Sequence, residues 1–244
     1  MNKEYLEETK MLNYNEPQLK LLVSSKNWLE LDDFHKIKSI YEFVQNDILF
    51  GYNASDMLSA TQVLNDGMGQ CNTKATLLMA LLRAVNIPCR LHAFDVTKDF
   101  QRGATSKLIS LLAPKYILHT WVEVFYQDRW IALEGVITDK KYLEAIQKKF
   151  FNHGGTFKKY AIATNDLKNT SIDWDGKDTF IQKEAIVYDY GIFPSPDVFF
   201  STHSQHMSKL KNFIYVHLIR KIMTKNVCKA RNNYIDKNER VFKR

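Results

Sequence analysis

The sequence predicts an α+β fold. A cysteine-bearing helix packs on an antiparallel sheet, with a helical N-terminal part before it and a C-terminal extension ending in a basic helix after it. Three observations predict this. Phe34, Ile37, Tyr41, Val44 and Ile48 recur three and four residues apart, the spacing of a helix's buried stripe. Leu78, Leu81, Leu82 and Val85 repeat that spacing behind Cys71. Leu118–Tyr126 is a run of β-formers, and Trp130–Leu133 is a second run after a tight turn, as in a hairpin.

Each element has a local reason. Met1–Lys20 is polar and mixed in charge, with Pro17 as a break. Asp32 or Asp33 can cap the first amphipathic helix, which should end near Gly51. A short helix or turn falls around Ala54–Val63, and Asn65-Asp66-Gly67 reads as a turn. The helix from Cys71 to Val85 follows. Asn86 can take the left-handed position at its end, and Pro88 stops it from continuing. Arg90–Val96 reads as a strand, and Lys98–Ser110 as a loop with a helical turn. Thr138 or Asp139 can cap a helix through Lys149. Residues 150–201 carry Gly154-Gly155, Asp173-Trp174-Asp175-Gly176 and Pro194-Ser195-Pro196, and read as irregular with short strands near Ala185–Tyr188. Asp173-Trp174-Asp175 is either a cover for the cleft or a turn with a packed Trp. A last amphipathic helix spans roughly Gln205–Asn226, with Leu210, Phe213, Ile214, His217 and Leu218 on one face. The chain thus divides into an N-terminal segment 1–31, a core 32–149, an extension 150–204 wrapping the core, and a basic helix and tail 205–244.

Composition narrows the function. The 244 residues are 45% hydrophobic and 25% charged, which fits a globular protein with a substantial core. Met1–Glu30 lacks the apolar run of a leader peptide, and no stretch approaches the ~18 apolar residues of a membrane span. The 3 cysteines, Cys71, Cys89 and Cys228, lie far apart and make no disulfide framework, which fits a reducing cytoplasm. The net charge is +7, from 34 basic and 27 acidic residues, but eleven of the basic and two of the acidic ones follow Ser204. The basicity therefore belongs to the C-terminal arm, which could meet nucleic acid, an acidic partner or anionic lipid. His203 and His206 lie three apart with no further ligand near in sequence, so they read as surface residues.

The stretch Gly67–Glu134 carries the chemistry. Cys71 opens a helix, whose N-terminal dipole and free N–H groups favour a thiolate. Gly67 and Gly69 allow a sharp approach to it and close passage of a substrate backbone. The Cys71 N–H is a candidate oxyanion donor. Tyr52 and Asn46 are candidates for the second. His119 shares a strand face with Trp121, Glu123 and Phe125. If Gln127-Asp128 is a two-residue loop, Tyr126 pairs with Arg129 and Glu134 lies opposite Trp121, diagonal to His119 on its face. A loop one residue longer would turn Glu134 away. Glu134 would then hold the imidazole, with Asp139 as the spare carboxylate. A thiol nucleophile, a base and the base's orienter are the parts of acyl transfer through a thioester.

Three blocks resemble the transglutaminase-like superfamily of papain-fold cysteine enzymes. Gly69 and Cys71 match Gly-x-Cys, and Leu82, Arg83, Ile87, Pro88 and Arg90 match the helix end Leu-Arg-x-x-x-Ile-Pro-x-Arg. His119, Trp121, Val122, Glu123 and Val124 match His-x-Trp-Val-Glu-Val. Trp130 matches the third block, where Glu134 stands in place of the family's Asp. The resemblance covers about Asp32–Lys149. It implies a papain-like fold, a nucleophile at Cys71 and a base at His119. The activity it implies is hydrolysis, deamidation or cross-linking at an amide or peptide bond, of peptide, protein or small amide substrates. Water is the default acceptor, and neither metal nor cofactor is required. The rival readings are an inactive binding module with this fold, or a nucleic-acid or acidic-partner binder working through the basic arm.

Overall fold

The computed structural model describes residues 3–105, 113–205 and 207–232. The N-terminal segment is part of the core: Met11, Leu12, Leu19, Val23 and Trp28 are buried, most of them on or beside α1 (Pro17–Ser25). Its polar composition hides this because few of its apolar residues fall at regular spacing. α2 (Asp33–Asn46) starts where the Asp32 carboxylate accepts a hydrogen bond from the His35 N–H at 3.0 Å. Ile37, Ile40, Tyr41 and Val44 form its buried stripe. It ends at Asn46 rather than near Gly51, because Leu49–Phe50 (β1) pairs in parallel with Met68–Gly69 (β2). Between them, α3 (Ala60–Asp66) is closed by reciprocal bonds between Ser59 and Gln62 and ends on Gly67 at φ 61°, a left-handed cap that glycine adopts without strain.

β1, β2 and the Ser59 cap bring the chain to α4 (Cys71–Ala84), the centre of the fold. Every residue from Asn72 to Arg83 is buried, polar ones included, so the helix is enclosed all round rather than along one stripe. Asn86 closes it at φ 63°. Arg83 then ties three chain segments together by donating to the carbonyls of Glu7, Cys89 and Pro194.

β3 (Cys89–Thr97), β4 (Tyr116–Tyr126) and β5 (Arg129–Ala132) form an antiparallel sheet against α4. Gln127 and Asp128 sit at φ 50° and 60°, the two left-handed residues of a two-residue hairpin turn, and Tyr126 pairs with Arg129. The ladder ends at Ala132, and Leu133 turns the chain into a 3-10 turn over Glu134–Ile137. α5 (Lys140–Lys149) is capped by Asp139, which accepts from the Tyr142 N–H at 2.9 Å.

Residues 150–204 are more regular than their turn residues suggest. β6 (Phe157–Lys159) and β7 (Ile162–Thr164) make a hairpin, and β8 (Ile186–Phe193) adds a fourth strand, giving the order β5-β4-β3-β8. β8 is an exposed edge with register shifts, so it lacks the alternation of a half-buried strand. α6 (Pro196–Thr202) follows. Trp174 is buried and stacks on Phe34 at 5.2 Å between ring centroids, so Asp173-Trp174-Asp175 is a turn around a packed Trp.

The single C-terminal helix expected over Gln205–Asn226 is instead α7 (Lys209–Ile214), a π turn (Tyr215–Ile219) and α8 (Arg220–Asn232). The expected apolar face is not the buried one. Leu210, Phe213 and Leu218 are 69, 61 and 56% exposed, whereas Met223, Val227 and Arg231, four apart, are buried. The extra residue in a π turn shifts which stripe faces inward. Among the described residues no helix is long and apolar enough to cross a membrane. His206, part of the 98–110 loop and the tail after Asn232 lie outside the described residues.

Candidate active site

Cys71 is the first residue of α4 and is half-buried. The loop before it is clamped by side chains. Gln70 accepts from the Asn53 N–H at 2.8 Å and donates to Asp56 at 3.0 Å, and Thr73 accepts from the Gln70 N–H at 3.1 Å. A Cβ at Gly69 would lie 2.7 Å from Lys74 Cγ and 2.8 Å from Thr73 Oγ1, both buried. Glycine there lets the approaching chain touch its own helix, a nearer need than passage of a substrate.

His119 is buried on β4. Its Nε2 donates to Glu134 Oε1 at 2.8 Å. Its Nδ1 has no aligned hydrogen-bond partner. Burial alone would push the imidazolium pKa down; the neighbouring Cys71 sulfur, and then Glu134, outweigh this and hold it above the ordinary histidine value. Phe94 and Trp121 flank the ring at 6.2 and 6.1 Å between centroids and exclude water from it.

Glu134 is fully buried at the start of the 3-10 turn. Its Oε2 accepts from three successive backbone N–H groups, Ile181 at 2.7 Å, Gln182 at 2.9 Å and Lys183 at 3.2 Å. Glu134 stands past the end of the ladder at Ala132, on the 3-10 turn. Asp139, the spare carboxylate, is engaged elsewhere. Besides capping α5 it accepts from the Phe50 N–H at 3.2 Å and from Arg231, whose Nη2 lies 2.6 Å from Oδ2. Asn46 is likewise remote from the cysteine, its Oδ1 accepting from the Lys140 N–H at 3.2 Å.

A cavity of about 360 Å³ opens over Cys71 and His119. Phe50, Tyr52, Phe100 and Leu118 line it from the core, and Tyr215 and Met223 from the C-terminal segment. Tyr52 is buried and its hydroxyl has no partner. Burial raises its pKa well above the ordinary tyrosine value, so the phenol keeps its proton and can donate.

Two parts of the site carry no advance sequence signal. Asn72 pins α4 to β4 on both sides of His119: it donates to the Leu118 carbonyl at 3.2 Å and accepts from Thr120 Oγ1 at 3.0 Å. The 181–183 backbone holds Glu134 through amides, which any sequence possesses. Other residues of the recurring blocks are structural. Glu123 pairs with Arg90 and His92 at 2.7 and 2.8 Å, and the Arg90 guanidinium lies over Trp130 at 4.0 Å. Cys89 is buried, and Cys228 lies beside Arg231 on α8. His203 stacks on Phe199. Among the described residues, no cluster of three His, Cys, Asp or Glu could hold a metal.

Residues 26–135 match the family model of the transglutaminase-like superfamily. No curated protein sequence is significantly similar to the chain. Its structure is similar to that of a protein from Cytophaga hutchinsonii provisionally named a cysteine protease. That similarity has a TM-score of 0.45 at 13% identity, over 79% of this chain and 47% of the other, and carries no argument about function. The chain spans about half the length of that protein. The segment 26–135, similar to the transglutaminase-like superfamily, contains Cys71, His119 and Glu134.

Proposed function

We propose that the chain is a thiol-dependent acyl-transfer enzyme acting on an amide or peptide bond, with Cys71 as nucleophile, His119 as base and Glu134 as its orienter. The observation that carries this reading is the 2.8 Å bond from His119 Nε2 to Glu134, which leaves Nδ1 for Cys71. Glu134 fixes the tautomer and stabilises the imidazolium formed when His119 takes the thiol proton.

The thiolate attacks the carbonyl carbon and the C=O electrons move to oxygen. The Cys71 N–H, free at the helix start, and the Tyr52 hydroxyl stabilise the oxyanion. Collapse of this intermediate breaks the C–N bond, and Nδ1–H protonates the departing amine. Water, deprotonated by Nδ1, then attacks the thioester; Cys71 leaves as thiolate and the acid is released. An amine in place of water would give transfer. A thiol nucleophile works only reduced, which fits a cytoplasmic setting.

Alkylation by iodoacetamide tests the reading. Cys71 should react well below pH 8 and faster than Cys228, and His119→Ala should slow it. Equal rates at Cys71 and Cys228 would favour an inactive module with the same fold.

A further inference from the structure

The segment after Met207 has two apolar sides. Ile214, Tyr215, Ile219 and Met223 line the cavity over Cys71, and the segment is anchored there: the Tyr52 N–H donates to Thr224 Oγ1 at 3.1 Å, and Tyr215 donates to the Asn53 carbonyl at 3.3 Å. Its other side presents Leu210, Phe213 and Leu218 to solvent. A helix that had only to close the cavity would carry polar residues there.

The charge around this stripe is one-sided. Lys209, Lys211, Lys221 and Lys225 are exposed, and Lys209–Asn232 contains no acid. Arg231, by contrast, is buried against Asp139, so it anchors α8 and leaves the lysines to face outward. Two further apolar side chains border the same cavity. Met57 lines it and is 57% exposed; Tyr116 is 41% exposed, beside the cavity-lining Ile117, and its carbonyl accepts from Gln205. Lys115 lies over the Tyr116 ring at 4.9 Å.

We propose that α7 and the π turn form an interfacial element that docks the protein on an anionic lipid surface, with Leu210, Phe213 and Leu218 entering the acyl boundary and the lysines meeting headgroup phosphates. Large apolar side chains flanked by lysines, with no acids between, are the signature of a helix lying in a membrane interface. Duplex nucleic acid would use the lysines but leave three large apolar residues facing phosphates, so lipid matches the whole surface. The proposal does not depend on chemistry at Cys71.

The test is co-sedimentation of the full chain with vesicles. Phosphatidylcholine mixed with phosphatidylglycerol should bind it, and phosphatidylcholine alone should bind far less. Changing Leu210, Phe213 and Leu218 together to Ser should weaken binding by about tenfold or more. Phe213→Ser alone should give an intermediate loss, with unchanged thermal unfolding showing that the fold survives. Each of Lys209→Gln, Lys221→Gln and Lys225→Gln should cost roughly fivefold, and less at high salt. Cys71→Ala should bind as the parent does. Absence of binding to the mixed vesicles, indifference to the serine substitutions, or tighter lysine-dependent binding to duplex DNA would overturn the proposal.

Discussion

Glu134 grips His119 with one oxygen and the 181–183 backbone with the other. The Nε2 contact is 2.8 Å and the three amide contacts span 2.7 to 3.2 Å. The carboxylate therefore joins the hairpin bearing the histidine to the extension after α5. A carboxylate fixed by three N–H donors cannot swing away from the ring.

Glu134→Gln should separate shape from charge. The amide oxygen can still serve the three backbone N–H groups, which turns its NH2 toward His119 Nε2. The ring then carries its proton on Nδ1, the wrong tautomer for a base toward Cys71. Cys71 alkylation near neutral pH should slow by about 10²-fold or more, with a stability loss of about 1–3 kcal/mol in urea unfolding. Alkylation within a few-fold of the parent would remove Glu134 from the orienting role.

Tyr52→Phe should split two readouts. Alkylation develops no oxyanion, so its rate should stay near that of the parent. Turnover of an amide substrate should fall by about 10²–10³-fold if the hydroxyl stabilises the intermediate. Stability should be nearly unchanged, because the hydroxyl has no partner to lose.

Lys74 predicts a pH dependence. Its Nζ donates to the Gln45 and Ile137 carbonyls at 3.1 and 3.2 Å inside the core. Burial pulls its pKa down to about 7, Arg231 adds to this, and Asp139 opposes it. Between about pH 7 and the ordinary lysine value near 10.4, the unfolded chain binds more protons than the folded one, so stability from this group rises with pH. Urea unfolding should show the parent gaining on Lys74→Met between about pH 7 and about pH 9. A constant difference would mean that Lys74 stays charged.

Arg231→Ala should strand Asp139 as a buried unpaired carboxylate. Breaking such a pair costs about 3–5 kcal/mol, measurable by urea unfolding. Because Arg231 also donates to the Phe50 carbonyl at 2.9 Å, the loss should loosen α8 and speed alkylation of Cys71 beneath it. A loss under about 1 kcal/mol with unchanged alkylation would mean that α8 is held by Met223 and Val227 alone.

The core elements were legible because their causes are local. Asp32 caps α2, Asn86 ends α4, and the β-former runs on each side of Gln127-Asp128 form a hairpin with a two-residue loop, but the chain leaves the ladder after Ala132, so Glu134 reaches His119 from a 3-10 turn rather than from opposite Trp121. Local causes misled where a segment's place depends on what it meets. Met1–Lys20 reads as polar and mixed in charge, yet the N-terminal segment supplies Met11, Leu12 and Trp28 to the core. In the C-terminal stretch, spacing marks Leu210, Phe213, Ile214, His217 and Leu218 as one face, whereas the core buries Met223 and Val227.

The sequence by itself therefore determined the helix-start cysteine and the strand histidine, since capping and periodicity act over a few residues, and left the face of Glu134 conditional on the turn length. Only the tertiary structure decided which carboxylate meets the imidazole and which is spent on Arg231. It also decided that Asn72 and the 181–183 amides hold the pair, and that Tyr215 and Met223 wall the cavity. The hydrogen bonds among these join residues 15 to 92 positions apart, and backbone amides and buried polar side chains acquire their partners only when the core closes around them.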